Sequence, residues 1–327
     1  MSEYAVRFHR TGGPEVLQYE AVDLPPPAAG EVRVRHHAVG VNFIDIYHRS
    51  GLYPLPLPSG LGQEAAGVVE ALGPDVTGLA VGDRVACASG PLGAYATARN
   101  MPADKLVKLP DGIDFETAAA LMLKGLTAHY LLRRTCRVEA GDAVLIHAAA
   151  GGVGLIACQW ARALGATVIG TVSTPDKAEL ARANGCEHVL TGVAAADLPA
   201  QVRALTGGRG VRVVYDGIGR DTFMASIDSL APLGMMVSYG NASGPAPAIE
   251  PGLLAQKGSL FLTRPTLFHY IAARADLVAA ADELFARVLD GTIRINVRQR
   301  HALQHSASAH EELAARRTTG STILLPQ

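Results

Sequence analysis

The sequence predicts an α/β chain in two parts, one rich in short strands and one built on a doubly wound parallel sheet. Three observations carry that prediction. The first third sets β-branched segments between Gly and Pro; strand-like and helix-like segments alternate from about residue 115 onward; and a glycine-rich turn, His147–Gly154, stands between a strand pattern and a helix pattern. At 327 residues the chain exceeds one typical core and suits two.

In chain order, Glu31–Ala38, Ala65–Ala71 and Asp83–Ala88 are short, β-branched and bounded by turn residues, so they read as strands of a compact antiparallel domain. Pro25–Pro27 stops regular structure before Glu31. Phe115–Thr135 is Ala/Leu-rich with helical spacing. Ala143–His147 then reads as a strand, Val153–Leu164 as a helix closed by Gly165, and Thr167–Val172 as a strand. Pro175–Asn184 is a helix opening on proline and closing before Gly185. His188–Leu190, Val211–Asp216 and Met235–Tyr239 are further strands, and βαβ alternation implies a parallel sheet with helices on both faces. Beyond Ser259–Thr263 the expectation is a helix near Leu277–Leu289, another near His305–Arg317 and a last strand, Thr322–Leu325; periodicity alone does not say which domain this tail joins.

Composition narrows the function classes. A formal net charge of -1 with 18% charged residues gives no basic footprint for nucleic acid. No apolar run reaches the roughly 20 residues that span a bilayer, and the opening MSEYAVRFHRTGG lacks a signal-peptide core, so a cytoplasmic location is expected. Cys87, Cys136, Cys158 and Cys186 are too widely spaced for a disulfide scaffold or a zinc ribbon and read as buried free thiols.

The turn HAAAGGVG fits a dinucleotide fingerprint. Gly151 and Gly154 fall on the second and third positions of G-x-G-x-x-G, where the first of them admits a pyrophosphate to the backbone and the second lets helix and strand pack closely. Phosphates would meet free N–H groups at the helix start. Ala149 replaces the first glycine, which requires a variant turn. About 20 residues on, where NAD-preferring sites carry an acid, Thr171–Thr174 has none and Lys177 follows, which favours NADPH over NADH.

Taken together, Asn42–Tyr53 (NFIDIYHRSGLY), Gly62–Val69 (GQEAAGVV), Gly82–Val85 (GDRV), Lys124–Thr127 (KGLT), HAAAGGVG, Val213–Gly219 (VVYDGIG) and Gln256–Pro265 (QKGSLFLTRP) resemble, in this order and over essentially the whole length, the NADPH:quinone oxidoreductases of the medium-chain dehydrogenase/reductase superfamily, the group that includes zeta-crystallin. The resemblance implies a GroES-like catalytic domain from residues 1–124 and 265–327 and a Rossmann NADPH-binding domain over 125–264, with the cofactor in the cleft between them. It implies a homodimer through the edge strand Ser259–Thr263. It also implies cofactor contacts from Asn42, Lys124, Thr127, Gly151, Gly152, Val153, Gly154, Ser173, Lys177, Asn241, Arg264 and Arg316, and a quinone pocket lined by Tyr47 and Tyr53. One departure stands out: Gly192 occupies a position where related bacterial enzymes place a Tyr beside the adenosine 2′-phosphate.

The same resemblance sets this chain against the zinc alcohol dehydrogenases. Asn42 stands at the usual Cys and Gln63 at the usual His of their metal site, neither a normal zinc ligand. The stretch Ser89–Tyr95 lacks the cysteines of a structural-zinc loop, and adjacent His36 and His37 in a strand face opposite ways. Hydride addition to a ketone makes an alkoxide that needs a Lewis acid or a proton donor, whereas addition to a quinone makes a phenolate-like anion with a pKa near 10. The expectation is therefore zinc-independent hydride transfer to a quinone, with Asn42, Tyr47 and Tyr53 holding the quinone oxygen and one-electron reduction remaining open. An enoyl or 2-alkenal reductase is the alternative on the same scaffold, and a zeta-crystallin-like RNA-binding or structural role is the alternative outside enzymes.

Overall fold

A computed structural model of the chain describes residues 2–326. The elements run β1 (Glu3–Phe8), β2 (Gln18–Val22), β3 (Glu31–Val41), α1 (Phe43–Ser50), β4 (Ser59–Gly60), β5 (Ala65–Leu72), β6 (Arg84–Cys87), β7 (Ala98–Pro102), β8 (Val107–Lys108) and α2 (Phe115–Tyr130). They continue with β9 (Ala143–Ile146), α3 (Gly152–Ala163), β10 (Thr167–Val172), α4 (Pro175–Ala183), β11 (His188–Thr191), α5 (Leu198–Leu205), β12 (Val211–Asp216), α6 (Phe223–Asp228), β13 (Leu230–Ser238), α7 (Pro251–Gln256) and β14 (Phe261–Thr263). The last are α8 (Leu267–Tyr270), α9 (Arg274–Leu289), β15 (Val297–Ala302), α10 (Ser306–Ala314) and β16 (Ser321–Leu325).

Two compact units result. The first comprises residues 1–126, 271–289 and 295–327, the second residues 127–270 and 290–294. The first holds a seven-stranded sheet, ordered β15-β16-β3-β5-β6-β8 with β7 also on β3, and a three-stranded sheet β2-β1-β4. All its pairings are antiparallel except β15 on β16, which is parallel and departs from the purely antiparallel expectation. In β3 the alternation is physical: Val32, Val34 and His36 point into the core while Arg33 and Arg35 lie outward, and Arg35 pairs there with Glu3 and Glu70. His36 is buried and His37 is exposed and stacked on Phe115, so the two do face opposite ways. Phe8, Val69, Val85, Tyr95, Met101 and Leu324 anchor this core.

The second unit is a six-stranded sheet ordered β11-β10-β9-β12-β13-β14, with every pairing parallel. Its central strands are apolar on both faces, as a sheet covered on both sides requires: Val144–Ile146 and Val213–Tyr215 are all buried. Strand order reverses between β9 and β12, the switch point where open α/β sheets bind ligands at strand carboxyl ends. All four cysteines are free and buried. Far apart in sequence, the thiols of Cys158 in α3 and Cys186 before β11 nevertheless face each other in this unit. No described helix is long and apolar enough to cross a membrane.

Candidate active site

In the first unit the candidate residues gather at the start of α1. Asn42 ends the extended chain (φ −135°) and caps the helix, and its backbone N–H donates to Asp45 Oδ2 at 2.9 Å, an arrangement characteristic of a capping box. Its side-chain Nδ2 donates to Glu64 Oε2 at 2.8 Å. Lys124 Nζ donates to the same oxygen at 2.9 Å, and the Leu123 N–H donates to Glu64 Oε1 at 2.8 Å. Glu64 is fully buried, and the opposite charge with two further donors meets what a buried carboxylate needs. Glycine at position 40 makes the room, because a Cβ there would overlap the Glu64 carboxylate.

Behind α1 runs a directional chain. Arg49 Nη1 lies 3.3 Å from His310 Nδ1, His310 Nε2 lies 3.0 Å from the Tyr95 hydroxyl, and that hydroxyl donates to Asp45 Oδ2 at 3.0 Å. A guanidinium only donates, so Nδ1 accepts and the imidazole proton sits on Nε2, facing Tyr95. Burial, then the nearby Arg49 charge, pushes His310 down to about 3 and keeps it neutral. Burial pushes Asp45 up to about 7, against the opposing pull of the Asn42 and Tyr95 hydrogen bonds.

Tyr47 is buried on α1, while Tyr53 lies past Gly51, whose φ of 83° ends the helix. The two rings meet edge-on with centroids 5.2 Å apart, and the Tyr53 N–H donates to the Tyr47 carbonyl at 3.0 Å. Arg316, in the same unit, follows α10 in a left-handed conformation and is exposed.

In the second unit most of the candidates follow the carboxyl ends of the parallel strands. Gly151 caps α3, which opens at Gly152, one residue earlier than the sequence pattern suggests, so the first-turn N–H groups belong to Gly152, Val153 and Gly154. The variant turn is made by Ala148, at φ 51°, rather than at Ala149. A Cβ on Gly154 would stand 2.8 Å from Ala149 Cα and closer still to the Ala148 carbonyl oxygen, which is why glycine is needed there. Ser173 is exposed just past β10, Asn241 follows β13, Arg264 follows β14, and Thr127 is buried in α2. Lys177 sits in the first turn of α4, its N–H on the Thr174 hydroxyl at 3.4 Å, with the exposed acid Asp176 beside it. Gly192, at φ 62°, has open space where a Cβ would project, with only the Ser173 carbonyl oxygen as near as 4.0 Å.

A second directional chain ties these strand ends together. His147 Nδ1 lies 2.9 Å from the Thr171 hydroxyl and Nε2 lies 2.9 Å from the Ser226 hydroxyl, which itself donates to Asp216 Oδ2 at 2.8 Å. Ser226 has given its hydrogen away, so it accepts from Nε2–H, and Nδ1 accepts from Thr171. Burial lowers the His147 pKa, consistent with a neutral ring. Asp216 Oδ1 also accepts the N–H groups of Ile218 and Gly219. The carboxyl ends of β9, β10 and β12 are thus fixed by one network.

Sequence reasoning singled out Asn42 and Lys124 but not Glu64, which joins them, nor the roles of Asp45, Tyr95, His310, His147 and Asp216. The spacing of Asn42 and Asp45 carried a readable capping signal; the others come together only through strand pairing. Among the described residues, no group of three or more His, Cys, Asp or Glu is arranged to hold a metal ion.

The alcohol dehydrogenase GroES-like domain family matches residues 28–111 and the zinc-binding dehydrogenase family residues 152–286. A quinone oxidoreductase of Pseudomonas aeruginosa is 56% identical over 322 residues, covering 98% of this chain and 99% of that protein. A 2-haloacrylate reductase of a Burkholderia species is 48% identical over 333 residues, covering 99% of each. The crystal structure of Escherichia coli quinone oxidoreductase complexed with NADPH superposes with a TM-score of 0.96 at 49% identity, covering 99% of this chain and 100% of that one.

Proposed function

The chain belongs to the quinone oxidoreductase family, and on that premise we propose that it reduces quinones with NADPH and without zinc. The observation that carries the proposal is the environment of Asn42: at the position of a zinc-ligating cysteine in the metal-dependent relatives, its amide donates to a buried carboxylate that also neutralises Lys124. Zinc does not fit these residues. Neither Asn42 nor Gln63 offers a thiolate or imidazole, and the neighbouring Cys87 thiol is engaged by Arg99 Nη2 at 3.0 Å.

NADPH fits the second unit. The first-turn N–H groups of α3 and the bare backbone of Gly151 suit a pyrophosphate. The end of β10 carries Ser173 and no acid, and Lys177 supplies a positive charge for a 2′-phosphate. We assign further cofactor contacts to Thr127, Gly152, Val153, Gly154, Asn241 and Arg264 of the second unit and, in the first unit, to Asn42, Lys124 and Arg316. We assign cofactor binding chiefly to residues 125–264 and catalysis chiefly to 1–124 with 265–327, bounds that differ from those of the compact units at residues 125–126, 265–270 and 290–294.

NADPH held by these residues would supply the hydride, and this chain's residues would have a lighter task than in ketone reduction because the anion formed from a quinone is phenolate-like. Asn42 donates to a quinone oxygen, and Tyr47 and Tyr53 flank the ring. Protons come from solvent or a tyrosine hydroxyl. We further place the protein in the cytoplasm as a homodimer joined through the edge strand over Ser259–Thr263, with no nucleic-acid partner.

Steady-state assays with NADPH against 1,4-benzoquinone, 9,10-phenanthrenequinone and 2-hexenal test the substrate class. Higher kcat/KM for the quinones is expected. The 48% identity to a 2-haloacrylate reductase supports a second reading, reduction of an activated alkene, and a much higher kcat/KM for 2-hexenal would establish it in place of the first.

A further inference from the structure

Three donors converge on the buried Glu64 carboxylate, and two of them belong to proposed site residues. Asn42 Nδ2 and Lys124 Nζ reach the same oxygen, Oε2, at 2.8 and 2.9 Å, while the Leu123 N–H holds Oε1 at 2.8 Å. The backbone is clamped as well: the Gly40 N–H donates to the Glu64 carbonyl at 3.0 Å, and the carboxylate fills the space that glycine at 40 leaves open. The Glu64 carboxylate therefore cannot rotate away without breaking contacts to two segments, Asn42 at the start of α1 and the Leu123–Lys124 stretch of α2. Lys124, on a flexible four-carbon stem, is exposed at only 7% of its side chain and is held at one end of this bridge.

Resting on the quinone reductase reading, we propose that Glu64 is a positioning residue that couples Asn42 to Lys124, so that both meet the ligand as one preset, charge-balanced unit. The shared oxygen is what makes them one unit. If Lys124 is removed, Glu64 keeps a bare charge beside Asn42 and the amide shifts toward it; if Asn42 is removed, the ion pair relaxes and Lys124 loses its set direction. A glutamine at position 64 cannot replace the carboxylate, because its amide turns one NH2 group against a donor whichever way it is placed.

The test is a double-mutant cycle on the full-length protein, reading NADPH affinity by fluorescence titration and kcat and KM for 1,4-benzoquinone. The variants are Asn42→Ala, Lys124→Met and the pair, each made with and without Glu64→Gln, with circular dichroism melts to check folding. In the native background each single change is expected to weaken NADPH about tenfold, and the pair no more than about twofold beyond the worse single change, because contacting residues are not additive. With Glu64→Gln the two effects become independent and multiply. Multiplication in the native background overturns the coupling; a role in folding alone would shift the melts and leave the effects multiplicative. If Glu64→Gln does not fold, the four native-background proteins still decide. Failure of the wild-type protein to bind NADPH sinks the functional reading and the coupling together, whereas a wild type that binds but shows multiplicative variants sinks only the coupling.

Discussion

The Tyr95 hydroxyl donates to Oδ2 of Asp45 at 3.0 Å, and the Asn42 N–H takes the same oxygen at 2.9 Å, while Oδ1 has no hydrogen-bond partner among the described residues. That geometry suits a neutral acid, with Oδ2 accepting twice and the proton on Oδ1. It places a titrating carboxyl in α1, the helix that Asn42 caps and that carries Tyr47.

Asp45 therefore makes stability fall as pH rises. Its carboxyl ionises at 3.8 in an ordinary setting and at about 7 here, so between those values the folded state holds a proton that the unfolded chain has released. Each pH unit across that window removes about 1.4 kcal/mol, for a total of at most about 4 kcal/mol above neutrality. Asp45→Asn keeps the accepting oxygen and puts NH2 where Oδ1 stands. Urea unfolding at pH 8 should show it more stable than the wild type, and the difference should shrink toward zero by pH 4. A less stable variant at pH 8 would rule out this account.

Gly154→Ala and Gly151→Ala separate shape from binding. The first puts a methyl 2.8 Å from Ala149 Cα, and overpacking of this kind destabilises by about 1–3 kcal/mol. The second meets only the Ala148 carbonyl oxygen, at 3.2 Å, and leaves the fold nearly unchanged. Melting curves should drop for Gly154→Ala alone, while titration with NADPH should show weakened binding for both. Undiminished affinity in Gly151→Ala would remove that backbone from the phosphate path.

These outcomes bear on what the sequence makes legible. Local patterns are readable: α3, α4 and the strands β9, β10 and β12 follow from period and turn residues to within one or two positions. α1 is the clearest omission, a helix inside the β-rich part whose N-cap Asn42, acid at Asp45 and terminal Gly51 were all visible. The networks are not readable in this way. Tyr95 and His310 are brought together by a fold that sets residues 215 positions apart within 3.0 Å. Glu64 is an inconspicuous acid in GQEAAGVV until β5 and α2 set it between Asn42 and Lys124. The parallel pairing of β15 with β16 depends on the crossover through α10, which no strand pattern encodes.

Lys177→Ala should cut NADPH affinity about fivefold and leave NADH affinity unchanged. That factor corresponds to the about 1 kcal/mol typical of one partly exposed charge pair. The adjacent acid Asp176 and the bare Gly192 both limit how strongly this end of β10 selects a 2′-phosphate. Raising salt from 50 to 500 mM should narrow the wild-type preference, since exposed charges are screened. Equal losses for both cofactors would mean that Lys177 touches something other than the 2′-phosphate.

The outer edge of the parallel sheet makes the proposed dimer testable. β14 is three residues long and pairs on one side only, with β13, so its other edge has no strand beside it among the described residues. Phe261 is 56% exposed there and Leu262 38%, with Leu233 of β13, whose N–H donates to the Gly258 carbonyl at 2.8 Å, exposed at 67%. Natural edges of this kind are usually blunted by charge or proline, yet this one is apolar, which suits pairing with a second copy to continue the sheet. Phe261→Asp places a charge on that edge at a side chain more than half exposed, so stability of the folded chain should change by about 0.5 kcal/mol or less. Sedimentation velocity should show the wild type as a dimer at micromolar concentration and the variant as a monomer with intact NADPH binding. A variant that stays dimeric would move the interface to another face.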